Sequence, residues 1–170
     1  EFVQNIIYLS KKIKIKVGII GSGPDKKLAY NLLKKNNINF FINENVPHHQ
    51  VMKYFANTKI YVSLNKRGNI SNTNLEAFNN NCTMLIPNFN SPLGEVIDKS
   101  TKLLFTNETV FYYDFDKKYN LAKKIIFLLK NDKLRKIRKK NLFKIRKFFL
   151  TGWHERIKEE ILEVKKLWKK

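Results

Sequence analysis

The hydrophobic pattern of this chain alternates between two periods. Phe2, Ile6 and Leu9 recur at roughly helical spacing and predict a helix over 1–12. Ile13, Ile15 and Val17 then alternate with lysines, which predicts a strand over 13–20. Gly21-Ser22-Gly23-Pro24 breaks that strand, and Pro24 suits the first position of a helix running 25–35 with Leu28, Leu32 and Leu33 inward. A second strand at 38–42 leads through the turn Val46-Pro47-His48 into a helix over 49–56 that buries Val51, Met52 and Phe55. The third strand, 60–64, precedes a helix at 73–80, which Asn79-Asn80-Asn81 ends because asparagine tolerates a left-handed cap. Residues 83–86 form a fourth strand stopped by Pro87. A loop and short helical turn are expected at 91–97, a fifth strand at 102–105, and a loop or edge strand at 110–115. Beyond 116 the pattern is helical: one stripe of Leu121, Ile125, Leu128 and Leu129, a second of Leu134, Ile137, Leu142, Ile145 and Phe149. After a break at Thr151-Gly152 comes a third, of Ile157, Ile161, Val164 and Trp168.

Strands separated by helices of about ten residues imply βα units, hence a parallel sheet with helices on both faces. The predicted class is α/β, a Rossmann-like domain over 1–150 with a helical tail, 151–170. At 170 residues and 43% hydrophobic content the chain has enough apolar material for a real core. Its single cysteine, Cys82, excludes an internal disulfide and a multi-cysteine metal site. Cys82 itself reads as a small buried hydrophobe at the start of a strand. No apolar run approaches the roughly 20 residues of a membrane span, and a cytoplasmic location is expected. The absence of Met at position 1 suggests a truncated chain.

Charge changes the picture of partners more than of fold. The chain carries 34 Lys and Arg against 14 Asp and Glu, formally +20. Residues 131–170 hold 15 basic and 5 acidic residues, so half of the excess sits in the last 40. Such a balance suits nucleic acid, an anionic membrane or anionic ligands. The wider bias toward Lys, Asn and Ile is what AT-rich coding DNA produces without selection for binding, so the charge is discounted accordingly. The helix 132–149, with nine Lys and Arg around an apolar stripe, could meet an anionic membrane surface at the inner face of the cell membrane or a nucleic-acid backbone. A solvated helix whose stripe packs on the sheet is the reading slightly favoured over both.

One stretch offers chemistry. Gly68-Asn69-Ile70-Ser71-Asn72-Thr73-Asn74-Leu75-Glu76-Ala77 follows a strand and opens a helix. Small polar residues at a helix start leave backbone N–H groups free, and the dipole adds positive potential, which together make an anion site. Glu76, about one turn in, could accept from a hydroxyl-bearing group beside the anion. The plain alternative is a capped helix with Asn72 or Thr73 as N-cap. His48, His49 and His154 lack a third ligand nearby, so exposed histidines are expected rather than a metal.

At this point six segments in order carry a resemblance. Gly21-Ser22-Gly23-Pro24, Val46-Pro47-His48, Ile60-Tyr61-Val62, Leu75-Glu76-Ala77, Glu95-Val96-Ile97 and Trp153 to Arg156 resemble the C-terminal, nucleotide-sugar-binding half of GT-B glycosyltransferases, specifically family 4 of the retaining enzymes. The resemblance covers nearly the whole chain. It implies a diphosphate held by the backbone of Asn69, Ile70, Ser71, Asn72 and Thr73, and Glu76 on the ribose hydroxyls. Gly21, Ser22, Gly23 and Val46 would flank the base. It implies a UDP-sugar or GDP-sugar as substrate, no metal and no cofactor, and a polysaccharide, lipopolysaccharide or glycolipid acceptor. An N-terminal acceptor-binding domain would lie outside this chain, with the stripe at Trp153–Trp168 packed on it; the isolated chain would catalyse nothing. The sequence departs from the family at Gly68, where a glutamate is usual, at Leu64-Asn65, at Asn69 and Ser71 in place of glycines, and at Asn81-Cys82-Thr83. Those departures leave two other readings open: a catalytically inactive subunit of the same fold, or a basic nucleic-acid-binding module, the latter disfavoured.

Overall fold

The alternation along the strands sorts the apolar residues onto two faces of the parallel strands, which hydrogen-bond as a two-stranded and a three-stranded sheet. In the computed structural model, described over residues 1–65, 69–88, 99–149 and 153–168, β1 (Lys16–Ile20) pairs with β2 (Asn39–Asn43), while β4 (Met84–Pro87) pairs with both β3 (Tyr61–Val62) and β5 (Phe111–Tyr113). Every pairing is parallel. Val17, Ile19, Val62, Leu85, Phe111 and Tyr113 point into one core, closed by α1 (Phe2–Ser10) and α6 (Asn120–Lys130). Tyr61, Met84, Ile86 and Tyr112 point into the other, closed by α3 (His48–Ala56), α4 (Asn72–Asn79) and α5 (Lys99–Leu104). The expected α/β arrangement with helices on both faces is what the chain adopts.

The long helix α7 (Asp132–Phe149) belongs to both layers. Leu134 packs on the first core, and Leu142, fully buried, and Ile145 pack on the second. Two arginines fasten it. The Arg138 guanidinium lies 3.9 Å from the centre of the Phe111 ring and donates to the Val110 carbonyl; Arg146 donates to the Asn79 carbonyl. These carbonyls lie where β5 begins and where α4 ends, at the edge of the sheet from which the strands start.

Asparagines end the helices. Asn36, Asn57, Asn80 and Asn131 occupy C-caps, and the side-chain amide of each donates to the carbonyl four residues back at 2.7–2.8 Å. Asn37 and Asn81 follow with φ of 52° and 55°. After α4, the Asn81 and Cys82 amides donate to the Phe78 and Ala77 carbonyls, so both crossed bonds of a Schellman ending form. The predicted left-handed asparagine is therefore Asn81, and α2 (Lys26–Lys35) ends the same way at Asn37 and Ile38.

Several expectations need correcting. Residues 102–105 are not a strand: α5 runs Lys99–Leu104 and buries Thr101, Leu104 and Phe105, while Leu103 is exposed. Spacing of i, i+3, i+4 is helical, and a four-residue apolar run cannot by itself separate the two states. The fifth strand is instead Phe111–Tyr113, the edge strand of its sheet, so of the two readings offered for 110–115 the edge strand holds. In α2, which starts at Lys26, Leu28 is exposed and Leu33 is the inward residue, packed in the first core. Ile13 and Ile15 pack on the core just ahead of β1 instead of lying within it. Ile137 is exposed. The expected turn at 91–97 and the break at Thr151-Gly152 lie outside the described residues. The last helix, α8 (Trp153–Leu167), exposes Ile161, Leu162 and Val164, with Trp168 just beyond it exposed too.

A Cβ at Gly18 would stand 2.4 Å from Cζ of Phe41 on the neighbouring strand, so that ring must swing aside for any side chain there. Substituting Gly18→Val should cost about 1 kcal/mol of unfolding free energy, the low end for overpacking, read as a shift in the urea midpoint. Gly23→Ala, where a Cβ meets nothing within 4 Å, should leave the urea midpoint unchanged.

Candidate functional site

Parallel strands deliver all their following loops to one edge, so the ends of β1, β2 and β3 converge there. The turn after β1 begins at Gly21, whose φ of +129° is one that side-chain-bearing residues rarely adopt. The Gly21 amide donates to the Asn43 carbonyl at the end of β2, 2.9 Å away, and Lys26 meets Glu44 at 2.8 Å. Ser22 and Gly23 are thereby left exposed beside the turn that carries half-buried Val46.

The third segment is pinned from below. Ser63 is buried; its amide donates to the Leu85 carbonyl at 3.0 Å, and its carbonyl accepts from the Tyr113 hydroxyl at 2.9 Å. Asn65 then reaches across the loop, its amide donating to the backbone carbonyl and side-chain oxygen of Asn69 at 2.9 and 3.1 Å. Gly68, where the family pattern departs, is outside the described residues. Ile70 tucks its side chain against the second core.

Helix α4 is capped by Ser71, not by Asn72 or Thr73 as expected. The Ser71 oxygen accepts from the Asn74 amide at 3.2 Å. The backbone of Ser71 is extended, and Asn72 and Thr73 become the exposed first residues of the helix, their amides without intrahelical acceptors. Fully buried Asn74 ties the cap to the sheet, since Tyr61 donates its hydroxyl to Asn74 Oδ1 at 2.8 Å. Asn74 Nδ2 has no acceptor among the described residues.

Glu76 lies in the second turn of α4, with its carboxylate 3.2 Å from Nδ1 of His48, the first residue of α3. This contact ties the Val46-Pro47-His48 turn to α4, two segments 28 residues apart between His48 and Glu76. His48 is three-quarters exposed, as expected, yet it has a specific partner that its sequence neighbours did not reveal. Of the ten predicted site residues, Gly21, Ser22, Gly23 and Val46 thus form one group. Asn69 to Thr73 form a second, and Glu76 reaches back from the second toward the first. Tyr61, Asn65 and Asn74, which position the loop, were missed; their only signal was an unusual density of polar residues around a buried strand. At the same edge, beside the start of α1, Glu1, Leu64, Asp114 and Lys117 line a small hollow. Hydrogen bonds from Lys117 and then Asn88 hold the Asp114 carboxyl below its ordinary range. Among the described residues, no three His, Cys, Asp or Glu side chains cluster as metal ligands.

With this geometry in view, the sequence profile described as "Glycosyl transferases group 1" matches residues 2–144. The chain belongs to that family. No curated protein sequence matches this family member significantly. Its fold is that of GT-B enzymes. It is similar to the catalytic domain of cholesterol-alpha-glucosyltransferase from Helicobacter pylori, at 17% identity and a TM-score of 0.69, with 88% of each chain covered. The C-terminal domain of the glycosyl transferase group 1 protein LpcC from Francisella tularensis matches at 16% identity and 0.65, over 87% of this chain and 76% of that one. HepE from Anabaena in complex with UDP matches at 10% and 0.68, over 98% of this chain but only 44% of HepE.

Ser71→Ala should cost about 0.5–2 kcal/mol, the usual worth of such a cap, read as a shift in the urea midpoint. A pH effect follows from the buried groups behind the loop. Burial pushes the Tyr61 hydroxyl from 10.0 up to about 12 and the Cys82 thiol from 9.0 up to about 11. Both are neutral in the fold, and the unfolded chain releases these protons first. Their contribution is complete below pH 9 and is lost as pH rises through about 11 and 12. The melting temperature should fall over that alkaline range, and less steeply in Tyr61→Phe.

Proposed function

We propose that this chain is the donor-binding half of a retaining glycosyltransferase of the family-4 type. The observation that carries the reading is the junction of α3 and α4. Glu76 stands beside the exposed helix start at Asn72 and Thr73 and touches the turn after β2. A nucleoside diphosphate needs those three elements in that order. Backbone amides of Asn69, Ile70, Ser71, Asn72 and Thr73, aided by the helix dipole, would take the diphosphate. Glu76 would accept from the ribose hydroxyls, and Gly21, Ser22, Gly23 and Val46 would border the base. The UDP named for HepE, a protein of the same fold, supports a nucleotide at this edge.

In the complete enzyme the bond from the anomeric carbon to the diphosphate breaks, and an acceptor hydroxyl forms the new bond with net retention. The amides that hold the diphosphate stabilise the charge gathering on it as it leaves, so no metal or cofactor is assigned to this step. An N-terminal domain would supply the acceptor side of the cleft and cover the apolar residues exposed on α8. The acceptor would be a polysaccharide, lipopolysaccharide or glycolipid, and the chain would work in the cytoplasm.

Calorimetric or NMR titration with UDP, GDP and their sugars tests the reading. One nucleotide should bind saturably, and Glu76→Ala should weaken it by about tenfold or more, the worth of a hydrogen bond to a charged group. His48→Ala should weaken it less. Silence toward every nucleotide together with salt-sensitive retention on DNA would replace the reading with a basic nucleic-acid-binding module. Binding that Glu76→Ala leaves intact would remove Glu76 from the site.

A further inference from the structure

The arginines of α7 turn toward the domain, while Lys133, Lys136, Lys140 and Lys144 are exposed and Lys139 is half-buried. Arg135 is largely buried and pairs with Asp132 at 2.7 Å, while Arg138 and Arg146 hold backbone carbonyls of the domain. Besides Asp132, the exposed positions over 132–146 are Lys133, Lys136, Ile137, Lys140, Phe143 and Lys144. At about 100° per residue, all six fall within roughly 60° of the direction of Lys140, along about 17 Å of helix. No acidic residue shares that arc; Asp132, at its edge, pairs with Lys136 at 3.0 Å. Ile137 and Phe143, 48% and 38% exposed, flank the row of lysines on either side.

We infer that this outward face of α7 is a docking surface for an anionic phospholipid bilayer. Of these four lysines only Lys136 meets a carboxylate among the described residues; together they match a negatively charged surface, each unpaired ammonium adding to the attraction. The two apolar side chains select lipid over a nucleic-acid backbone. A duplex gains nothing from them, whereas an interfacial helix lays them among the headgroups while lysine stems reach outward to phosphate. The hydrophobic residues that fasten α7 to the two cores are a different set, Leu134, Leu142 and Ile145, while the Phe143 ring, 38% exposed, carries the Arg146 guanidinium 4.9 Å from its centre. The helix is anchored at Val110 and Asn79, at the edge where strands start. Docking there leaves the opposite edge, with the Ser71 loop and Glu76, open to solution for a water-soluble donor. The docking itself does not depend on which nucleotide the chain takes, or on whether it takes one.

The test is sedimentation of the 170-residue chain with vesicles of phosphatidylcholine alone and with vesicles containing phosphatidylglycerol. Binding is expected only to the second. A variant with Lys133, Lys136, Lys140 and Lys144 all changed to Gln should lose at least tenfold in partitioning. A variant of equal net charge, with the exposed Lys11, Lys12, Lys27 and Lys35 changed to Gln, should keep it. Ile137→Ser with Phe143→Ser should weaken vesicle binding several-fold, with circular dichroism unchanged, and leave any retention on duplex DNA as it was. No binding to anionic vesicles, or equal loss in both lysine variants, overturns the proposal. So does vesicle binding that ignores the two serines, because the surface would then be a charge patch and not a lipid-inserting face.

Discussion

Burial of one parallel strand on both faces is the constraint on which the rest depends. In β4, Met84, Leu85 and Ile86 are each completely buried, and β3 and β5 hydrogen-bond to either side of it. A parallel strand can be covered this way only if every crossover carries a helix back over the sheet. That requirement places α3, α4 and α5 on one face and α1 and α6 on the other. It also gathers the loops after β1, β2 and β3 at a single edge. The cleft is a consequence of the sheet, and its chemistry is whatever the sequence puts in those loops.

What the sequence puts there is mostly backbone and amide. A helix start capped by Ser71 presents N–H groups, and Asn74 and Tyr61 join that cap to the strand beneath it. Because the polar contacts run from loop to buried strand, the loop is held by the core rather than by surface ion pairs. Glu76, touching His48, is the point at which two loops share one charge.

The same economy governs the termini of helices and the placement of charge. An asparagine-rich sequence could weaken helices, since asparagine competes with the backbone for hydrogen bonds. Here that competition is used at C-caps, where four side-chain amides continue the hydrogen-bond ladder. On α7 the planar, pre-organised guanidinium groups of Arg138 and Arg146 reach carbonyls of the domain, and the strongly hydrated Lys133, Lys136, Lys140 and Lys144 stay in water.

Much of this was legible before any coordinates. Periodicity and turn residues identified the βα alternation, the turns at 21–24 and 46–48, the helix carrying Glu76, and a left-handed asparagine stop somewhere in 79–81, because those features are written in residues that are neighbours along the chain. Short apolar runs were not legible in the same way. Residues 102–105 read as a strand and fold as helix, and 110–115 read as loop or edge strand, since a short apolar run fits a helix turn and a strand equally well until a neighbour offers a ladder. The orientation of Leu28, the choice of Ser71 over Asn72 as cap, and the pairing of Glu76 with His48 were decided by tertiary structure alone. Each depends on the angle at which one element meets another, and that angle is set by packing between residues far apart in sequence.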